Sequence, residues 1–342
     1  MRVFYAADTA RHAPEFFLLR GRPAANEERA ERAERLLEGI GRVGLQTEEP
    51  PAPSGPHPAA LVHSPRYLEF LETAWTTWQA LPGAGPEVLG NVQPRREEAS
   101  YPTGIVGRAG WHMGDLACPI GEHTYRAALR AADCAIAVAD TVAQGAHAAY
   151  ALARPPGHHT SREVASGHCI LNNAAIAAQH LVLKGARPAI LDIDVHHGNG
   201  TQAIFYDRPD VMMVSVHTDP NNFYPWFVGH AHETGIGPGE GANLNIPLAM
   251  RAGDAIWLDA LETALGAIHR FGADILVLSL GLDVHESDPL GGMSVTTEGI
   301  RRAGQRLGQL DIPVAIIQEG GYLSAALTDN IAAFFDGFLG EA

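Results

Sequence analysis

The residues most able to do chemistry in this 342-residue chain occur in four short segments, each directly after an apolar run. The segments are rich in His, Asp and Glu and span residues 154–159, 192–200, 281–289 and 319–322. In a parallel α/β sheet, ligands bind beyond the carboxyl ends of the strands. We therefore expect the four segments to converge on one rim of a sheet.

One of these segments has the spacing of a metal site. Asp192, Asp194 and His196 are two residues apart, so along an extended strand end their side chains point to the same side. With a further carboxylate such as Asp283, they suit Zn²⁺, Fe²⁺ or Mn²⁺ and leave one position open for water or substrate. The structural alternative is that each acid caps a helix. The number of acids and histidines that converge favours a catalytic metal site.

The adjacent pair His158 and His159, together with Tyr322, can supply the other groups that hydrolysis needs. A metal-activated water must lose a proton, an oxyanion must be stabilised and a leaving amine must gain a proton. Histidine and tyrosine can perform each of these tasks. A lone histidine is more often structural, and a tyrosine after two glycines is also typical of an ordinary turn. Neither motif decides the function by itself.

The elements that must position these residues are apolar strands that alternate with helical stretches. The predicted strands are 3–6, 148–153, 188–194, 211–217, 242–247, 274–280 and 313–318. The predicted helices between them include 172–184, 255–271 and 297–310. Strands that are apolar on both faces indicate a parallel sheet covered by helices on both sides, and no internal repeat is present. The sequence predicts an α/β fold.

Composition narrows the class of protein. A net charge of −15 and a pI near 5.5 argue against nucleic acid or an anionic membrane as partner and favour a cationic substrate. The 46% hydrophobic content suffices for a large core, and no apolar run reaches the ~18 residues that span a bilayer. We expect a cytoplasmic protein. Cys118, Cys134 and Cys169 lack paired spacing and are predicted to be buried free thiols.

Three segments are predicted to lie at the surface. The Pro- and Gly-rich stretches 50–58 and 81–102 are predicted to be long loops. The second contains the basic and acidic residues 95–98 and is either a subunit contact or a solvated loop. The charged segment 26–35 is typical of an exposed helix face with i,i+4 ion pairs, and we assign it no chemistry.

Taken together, the motifs resemble the histone deacetylase and acetylpolyamine amidohydrolase superfamily. The resemblance rests on RPPGHH, LDIDVHHGNGTQ, SLGLDVHESDP and EGGY, supported by HSPRYL, GHCILNN and SVH, from about residue 60 to 325. It implies the arginase-deacetylase fold, with residues 1–342 in a single deacetylase domain around a mostly parallel sheet of about eight strands. It also implies that 81–102 is an entrance or dimerisation loop and that the protein is a homodimer or homotetramer.

The same resemblance implies two kinds of metal ion. Asp194, His196 and Asp283 would bind one zinc ion, with Fe²⁺ as the alternative metal. A structural potassium ion would be surrounded by oxygens of Asp192, Asp194 and His196 together with Ser215. The implied reaction is hydrolysis of an N-acetyl amide to acetate and a free amine.

The resemblance also implies a role for each catalytic side chain. His159 would act as general base and then as general acid, while His158, backed by Asp192, would orient water and substrate. Tyr322 would donate a hydrogen bond to the developing oxyanion. Asn199 stands where some members of the family have an aspartate. Because Asn199 is neutral, we expect the pKa of His159 to stay near that of free imidazole.

The substrate tunnel would be lined by Gly167, His168, Tyr224 and Leu290. In the family two aromatic rings usually form its walls, and here those positions are His168 and Tyr224, so one wall is polar. Leu290 would lie at the rim. Narrow selectivity for one acyl substrate is therefore not expected.

The carboxylates that polyamine-specific relatives place in the stretch 101–120 are missing at the matching positions. Those positions are Val106 and Ala117, with Asp115 the nearest acid, which weakens an acetylpolyamine assignment. On balance we predict a small N-acetylated amine as substrate. The alternatives are a protein acetyl-lysine deacetylase, a non-catalytic sensor of acetylated ligands, and an arginase-like dinuclear manganese enzyme. The last is disfavoured because only one complete metal site can be assembled from the sequence.

Overall fold

The computed structural model describes residues 1–53, 55–94 and 100–340, and its main feature is an eight-stranded sheet. The strands are β1 (Arg2–Phe4), β4 (Thr47–Glu48), β5 (Ala148–Ala151), β6 (Pro188–Asp192), β7 (Met212–Thr218), β8 (Asn243–Leu248), β9 (Ile275–Leu280) and β10 (Val314–Gln318). Their order is β4-β1-β5-β10-β9-β6-β7-β8, and all neighbours are parallel. A separate antiparallel hairpin joins β2 (Phe16–Leu19) and β3 (Arg22–Ala25). The predicted α/β fold with a parallel sheet of about eight strands is confirmed.

Helices cover both faces of this sheet. In the described residues they are α1 (Glu31–Arg42), α2 (Pro65–Gln79), α3 (Ile105–His112), α4 (Thr124–Ala143), α5 (Asn173–Leu183), α6 (Asn199–Phe205), α7 (Asp254–Phe271), α8 (Thr297–Gly308) and α9 (Leu327–Leu339). Helices α2 to α5 contribute to the core on one face, and α1, α7, α8 and α9 contribute to the core on the other. Every residue of β5, β6, β9 and β10 is buried, as expected for strands enclosed on both sides. Among the described residues, none of the helices is both long and apolar enough to cross a bilayer.

The strand order brings the four polar segments to one rim of the sheet. Strands β5, β10, β9 and β6 are consecutive neighbours, and a polar segment follows each of them. Strand β6 ends at Asp192, two residues before the predicted end, so the chain turns away from the sheet before Asp194. Asp192 pairs with Ser279 of β9 on one side and with Ser215 of β7 on the other.

Residues 81–94 of the predicted long loop run along helices α2 and α3. Val88 forms an isolated bridge with Ile120, and the indole Nε1 of Trp78 donates a hydrogen bond of 3.2 Å to the carbonyl of Gly85. Val92 is 70% exposed. The basic and acidic cluster at 95–98 lies outside the described residues, and the role of this loop at the entrance or between subunits stays a prediction.

Candidate metal centre and active site

Two aspartates and one histidine form a buried metal-ligand cluster beyond the ends of β6 and β9. One ligand atom each of Asp194, His196 and Asp283 lies within 4.8 Å of the others. The Nδ1 of His196 is 3.1 Å from Oδ1 of Asp194 and 3.2 Å from Oδ2 of Asp283. We call these three residues the metal cluster. The structure therefore brings together the three residues that the sequence proposed as zinc ligands.

The electrostatics of the metal cluster fit a bound cation. The Oδ2 atom of Asp283 is buried, and its polar contact among the described residues is Nδ1 of His196 at 3.2 Å. Burial, with the nearby charge of Asp194, raises the pKa of Asp283 to about 7. Burial disfavours a charged His196, yet hydrogen bonds to the two carboxylates raise its pKa to about 9. Two buried carboxylates thus attract positive charge, and their oxygens together with an imidazole nitrogen are a donor set that divalent zinc or iron accepts.

Backbone amides and glycines hold the carboxylates of the metal cluster in place. The N–H groups of Gly320 and His196 donate to the two oxygens of Asp194 at 2.8 and 2.9 Å, and Val195 donates to Asp283 at 3.1 Å. A Cβ atom at Gly320 would collide with the carboxylates of both aspartates. Only glycine lets the backbone of the EGGY motif approach them this closely.

Asp192 lies outside the metal cluster and holds His158 instead. The Nδ1 of His158 donates to Oδ2 of Asp192 at 2.9 Å, and the Oδ1 of that carboxylate accepts from the N–H of Asp194 at 3.0 Å. Burial opposes the charged form of His158, but Asp192 and Asp194 outweigh it and hold its pKa well above the usual value. The Nε2 of His158 lies 3.8 Å from Oδ1 of Asp194, on the side of the metal cluster.

His159 packs against His158, with ring centroids 4.0 Å apart. Its Nδ1 donates to Oδ1 of Asn199 at 2.7 Å, so Nε2 is the nitrogen left for proton transfer. Burial lowers the pKa of His159 well below that of free imidazole, and the charges of His158 and His196 lower it further. The expectation of a pKa near that of free imidazole is wrong, because burial of the ring is a larger influence than the neutrality of Asn199.

Glu319 joins the end of β10 to the turn that carries the two histidines. Its Oε2 accepts hydrogen bonds from the N–H groups of Gly157 at 2.6 Å and His158 at 3.1 Å. Ligand atoms of Glu319, His158 and Cys169 also lie within 4.8 Å of one another. Burial raises the pKa of the Cys169 thiol well above its usual value, and a protonated thiol is a poor metal ligand. We therefore interpret this second group as a structural contact that stabilises the turn at Gly157 and His158.

The charged segment 26–35 is only in part the exposed helix face that its sequence predicts. Glu31, Glu34 and Arg35 are exposed, and an i,i+4 ion pair is present, but that pair is buried. Arg32 is 1% exposed, and its guanidinium donates hydrogen bonds of 2.7 Å to the backbone carbonyls of Gly321 and Glu319. It also lies 4.7 Å from the ring centroid of Tyr322, whose own N–H donates to Asp288 at 2.7 Å. The prediction is wrong for Arg32, because its partners lie almost 300 residues further along the chain. Arg32 supports the backbone of the EGGY motif from behind.

A second buried arginine shares the counter-charge of Arg32. Glu28 is fully buried, and its Oε2 lies 3.2 Å from Nη1 of Arg32 and 3.0 Å from Nε of Arg154. Arg154 also donates to the carbonyls of Thr9 at 2.7 Å and His12 at 2.6 Å. Sequence reasoning gave Arg154 no role. The structure shows that it anchors the start of the RPPGHH motif to the N-terminal segment.

The predicted tunnel residues lie around the histidine pair. A Cβ atom at Gly167, where φ is +53°, would collide with the ring of His159. The ring of His168 is 5.6 Å from that of Tyr322, and the ring of Tyr224 is 4.9 Å from that of His159 at nearly a right angle. The predicted wall residues therefore lie beside the side chains proposed to react with a substrate.

Leu290, the predicted rim residue, is half-buried. Its N–H donates to Oδ1 of Asp288 at 2.9 Å, and the other oxygen of Asp288 accepts from the N–H of Tyr322. Leu290 is therefore linked to the tunnel through the same carboxylate that positions Tyr322.

Comparison with known proteins identifies the family. A family model described as the histone deacetylase domain matches residues 26–338. The chain belongs to the histone deacetylase family. The resemblance predicted from the sequence motifs is thereby confirmed.

Within this family the chain is similar to acetylpolyamine amidohydrolases over its whole length. The acetylpolyamine amidohydrolase of Burkholderia pseudomallei strain 1710b is 44% identical over 339 residues, which cover 99% of this chain and 98% of that protein. The enzyme of the same name from Mycoplana ramosa is 38% identical over 341 residues, which cover 99% of this chain and 100% of that protein. The crystal structure of acetylpolyamine aminohydrolase from Burkholderia pseudomallei has a TM-score of 0.95, at 44% identity and with 99% of this chain and 98% of that chain covered.

One acidic residue of this histone deacetylase family member lies closer to the tunnel than the sequence suggested. Asp115 follows helix α3, and its Oδ2 accepts hydrogen bonds from the hydroxyl of Tyr224 at 2.6 Å and from the N–H of Gly167 at 2.9 Å. Its Oδ1 accepts from the N–H of Ala117 at 2.9 Å. The sequence named Asp115 only as the nearest acid. No spacing pattern links it to Tyr224, which lies 109 residues away.

Residues of the predicted potassium site are also neighbours. Asp192 and Ser215 are paired across β6 and β7, and both are fully buried. The Oγ of Ser215 is 2.8 Å from Nδ1 of His217.

The three cysteines are free and buried, as the sequence predicts.

Proposed function

We propose that this chain is a zinc-dependent amidohydrolase that removes acetyl groups from small N-acetylated amines, acetylpolyamines above all. The observation that carries the proposal is the buried metal cluster beside the histidine pair, which combines a cation site with an acid-base group. The full-length similarity to proteins named acetylpolyamine amidohydrolases supports the choice of substrate class. Fe²⁺ is the alternative metal, because the same donors accept it.

Asp194, His196 and Asp283 would hold the metal ion. When bound, a divalent ion supplies Lewis-acid activation of the acyl oxygen and of water. The network of backbone amides around Asp194 and Asp283 keeps both carboxylates aimed at that position. Because Gly320 has no Cβ atom, both carboxylates fit beside its backbone.

The proton transfers fall to His159 in this proposal. Its pKa lies well below that of free imidazole, so the ring is neutral at pH 7 and can accept a proton from the attacking water at Nε2. The new bond forms between the water oxygen and the acyl carbon. The same nitrogen then gives the proton to the departing amine nitrogen as the carbon–nitrogen bond breaks. The acetic acid that forms gives its proton to the amine or to solvent, so acetate and the amine leave, and the ring is neutral again.

His158 and Tyr322 would stabilise the charge that develops on the acyl group. His158 is held by Asp192, so its ring is fixed before substrate binds. Tyr322 is held by Asp288 at its backbone and by Arg32 behind its ring, and its hydroxyl would donate a hydrogen bond to the oxyanion. A potassium ion near Asp192 and Ser215 would stabilise the same region from the far side.

The proposal is tested with a substrate panel on the zinc-loaded protein. N-acetylputrescine, N-acetylcadaverine and an acetyl-lysine peptide are compared by kcat/KM, with His159→Ala as the control for active-site turnover. We expect the two small amines to be preferred at least tenfold over the peptide. We also expect the His159→Ala variant to lose at least ~10²-fold in kcat while it still binds zinc. Preference for the peptide would make the chain a protein deacetylase, and no turnover of any member of the panel would refute the proposal.

A further inference from the structure

One carboxylate oxygen connects both walls of the tunnel. The Oδ2 atom of Asp115 accepts from the hydroxyl of Tyr224, which forms one wall, and from the N–H of Gly167, which precedes His168 in the other. The first bond is short, at 2.6 Å, and the second has the ordinary length of 2.9 Å. Hydrogen bonds to a charged acceptor are stronger than neutral ones. A change at Asp115 would therefore reach both walls at once.

The two connected walls also touch the acid-base histidine. Tyr224 meets the ring of His159 edge-on at 4.9 Å, and the Cα of Gly167 lies so close to that ring that a Cβ would collide with it. Both groups that contact the ring of His159 here are thus hydrogen-bonded to Asp115. The hydrogen bond to Asp115 comes from the hydroxyl of Tyr224, so a phenylalanine at this position could not form it.

The negative charge of Asp115 is not compensated by a neighbouring cation in the part of the chain that the structure describes. None of the described Lys, Arg or His side chains forms an ion pair with it within 4.0 Å, and the side chain is partly exposed. His168, the polar side chain of the facing wall, has its pKa lowered to about 4 by burial, so it adds no positive charge at pH 7. The wall residues His168 and Tyr224 are therefore neutral at pH 7, and Asp115 is the acidic side chain beside them.

We propose that Asp115 is a positioning and specificity-determining residue. It fixes the spacing of the two tunnel walls, and its charge favours substrates that carry an ammonium group a few carbons from the acetyl amide. This inference rests on the proposed function and adds the side chain that selects for cationic amines. Asp115 does not touch the reacting atoms, so its effect is on binding and on the geometry of His159.

The test separates the charge of Asp115 from its role as a connection. Asp115→Asn keeps an acceptor oxygen and removes the charge, whereas Tyr224→Phe keeps the charge and removes one hydrogen bond. Each variant is assayed with N-acetylputrescine and with N-butylacetamide, an uncharged amide of the same chain length. For Asp115→Asn we expect kcat/KM for N-acetylputrescine to fall roughly fivefold more than kcat/KM for N-butylacetamide, mainly through KM. For Tyr224→Phe we expect the ratio between the two substrates to stay at the wild-type value.

An unchanged substrate ratio in Asp115→Asn would overturn the selection by charge, and so would an equal loss on both substrates. If the variants do not fold, the wild-type protein still provides a test. Its KM for N-acetylputrescine should rise with ionic strength while that for N-butylacetamide should not, because salt screens the charge. Calorimetric binding of the two amides makes the same comparison without turnover, so failure of deacetylation and failure of charge selection are separate results.

Discussion

The buried Glu28 offers a quantitative test of the network behind Tyr322. Its carboxylate is the shared counter-charge of Arg32 and Arg154, and all three side chains are at most 2% exposed. Glu28→Gln keeps the size of the side chain and leaves two buried guanidinium groups without an anion. Removal of one partner from a buried ion pair typically costs about 3–5 kcal/mol. Both arginines keep backbone carbonyl acceptors, so we expect the lower end, about 3 kcal/mol.

The assay is urea unfolding at pH 7, followed by far-UV circular dichroism. Burial raises the pKa of Glu28, but Arg154 and Arg32 bring it below its ordinary value of 4.5. The stabilising effect is therefore complete at neutral pH and is lost as the pH falls below 4.5 through the lower pKa of the folded state. The difference between wild type and variant should shrink over the same range.

A matched control is available on helix α1, which begins three residues after Glu28. Glu38 pairs with Arg42 at 2.6 Å, but the two side chains are 45% and 49% exposed. Because solvent screens this pair, Glu38→Gln should leave the urea midpoint unchanged within error. If Glu28→Gln unfolds at the same urea concentration as Glu38→Gln, the reasoning about the buried network is refuted.

Three further predictions concern the metal cluster and its neighbours. Asn199→Asp should raise the pKa of His159, because a nearby carboxylate favours the charged ring, and should move the acidic limb of the kcat/KM profile to higher pH, because the base must be neutral; an unaltered profile would contradict this. Gly320→Ala should weaken zinc binding by about 10- to 100-fold, since its Cβ would displace the carboxylates of the metal cluster, and elemental analysis after dialysis checks it. Tyr322→Phe should lower kcat by about 10²- to 10³-fold at unchanged zinc content, and full activity would exclude it as the oxyanion donor.

The amino-acid sequence by itself determined the sheet and the rim on which the site lies. Strands such as Ile275–Leu280 and Val314–Gln318 are apolar at every or nearly every position, and only a strand enclosed on both faces suits that pattern. The polar residues that follow them must then lie at carboxyl ends of strands. Helix α4 (Thr124–Ala143), which is rich in buried alanines, was not among the predicted helices.

Local spacing also predicted which residues meet, but only over a few positions. Asp194 and His196 are neighbours as expected. The two-residue period failed for Asp192, since strand β6 ends there and its carboxylate turns to His158, 34 residues away. The spacing could not contain that information, because the end of the strand depends on how its neighbours pair.

Only the tertiary structure decided which charges are buried and what they contact. The segment 26–35 has the same pattern of charges whether its helix faces solvent or packs behind Tyr322. In the folded protein Arg32 is buried, and it donates hydrogen bonds to the carbonyls of Gly321 and Glu319. Asp115 gains its place between two tunnel walls in the same way, through partners 52 and 109 residues away. Desolvation and pairing depend on distances in space, and for groups far apart in the chain those distances exist only after the core has packed.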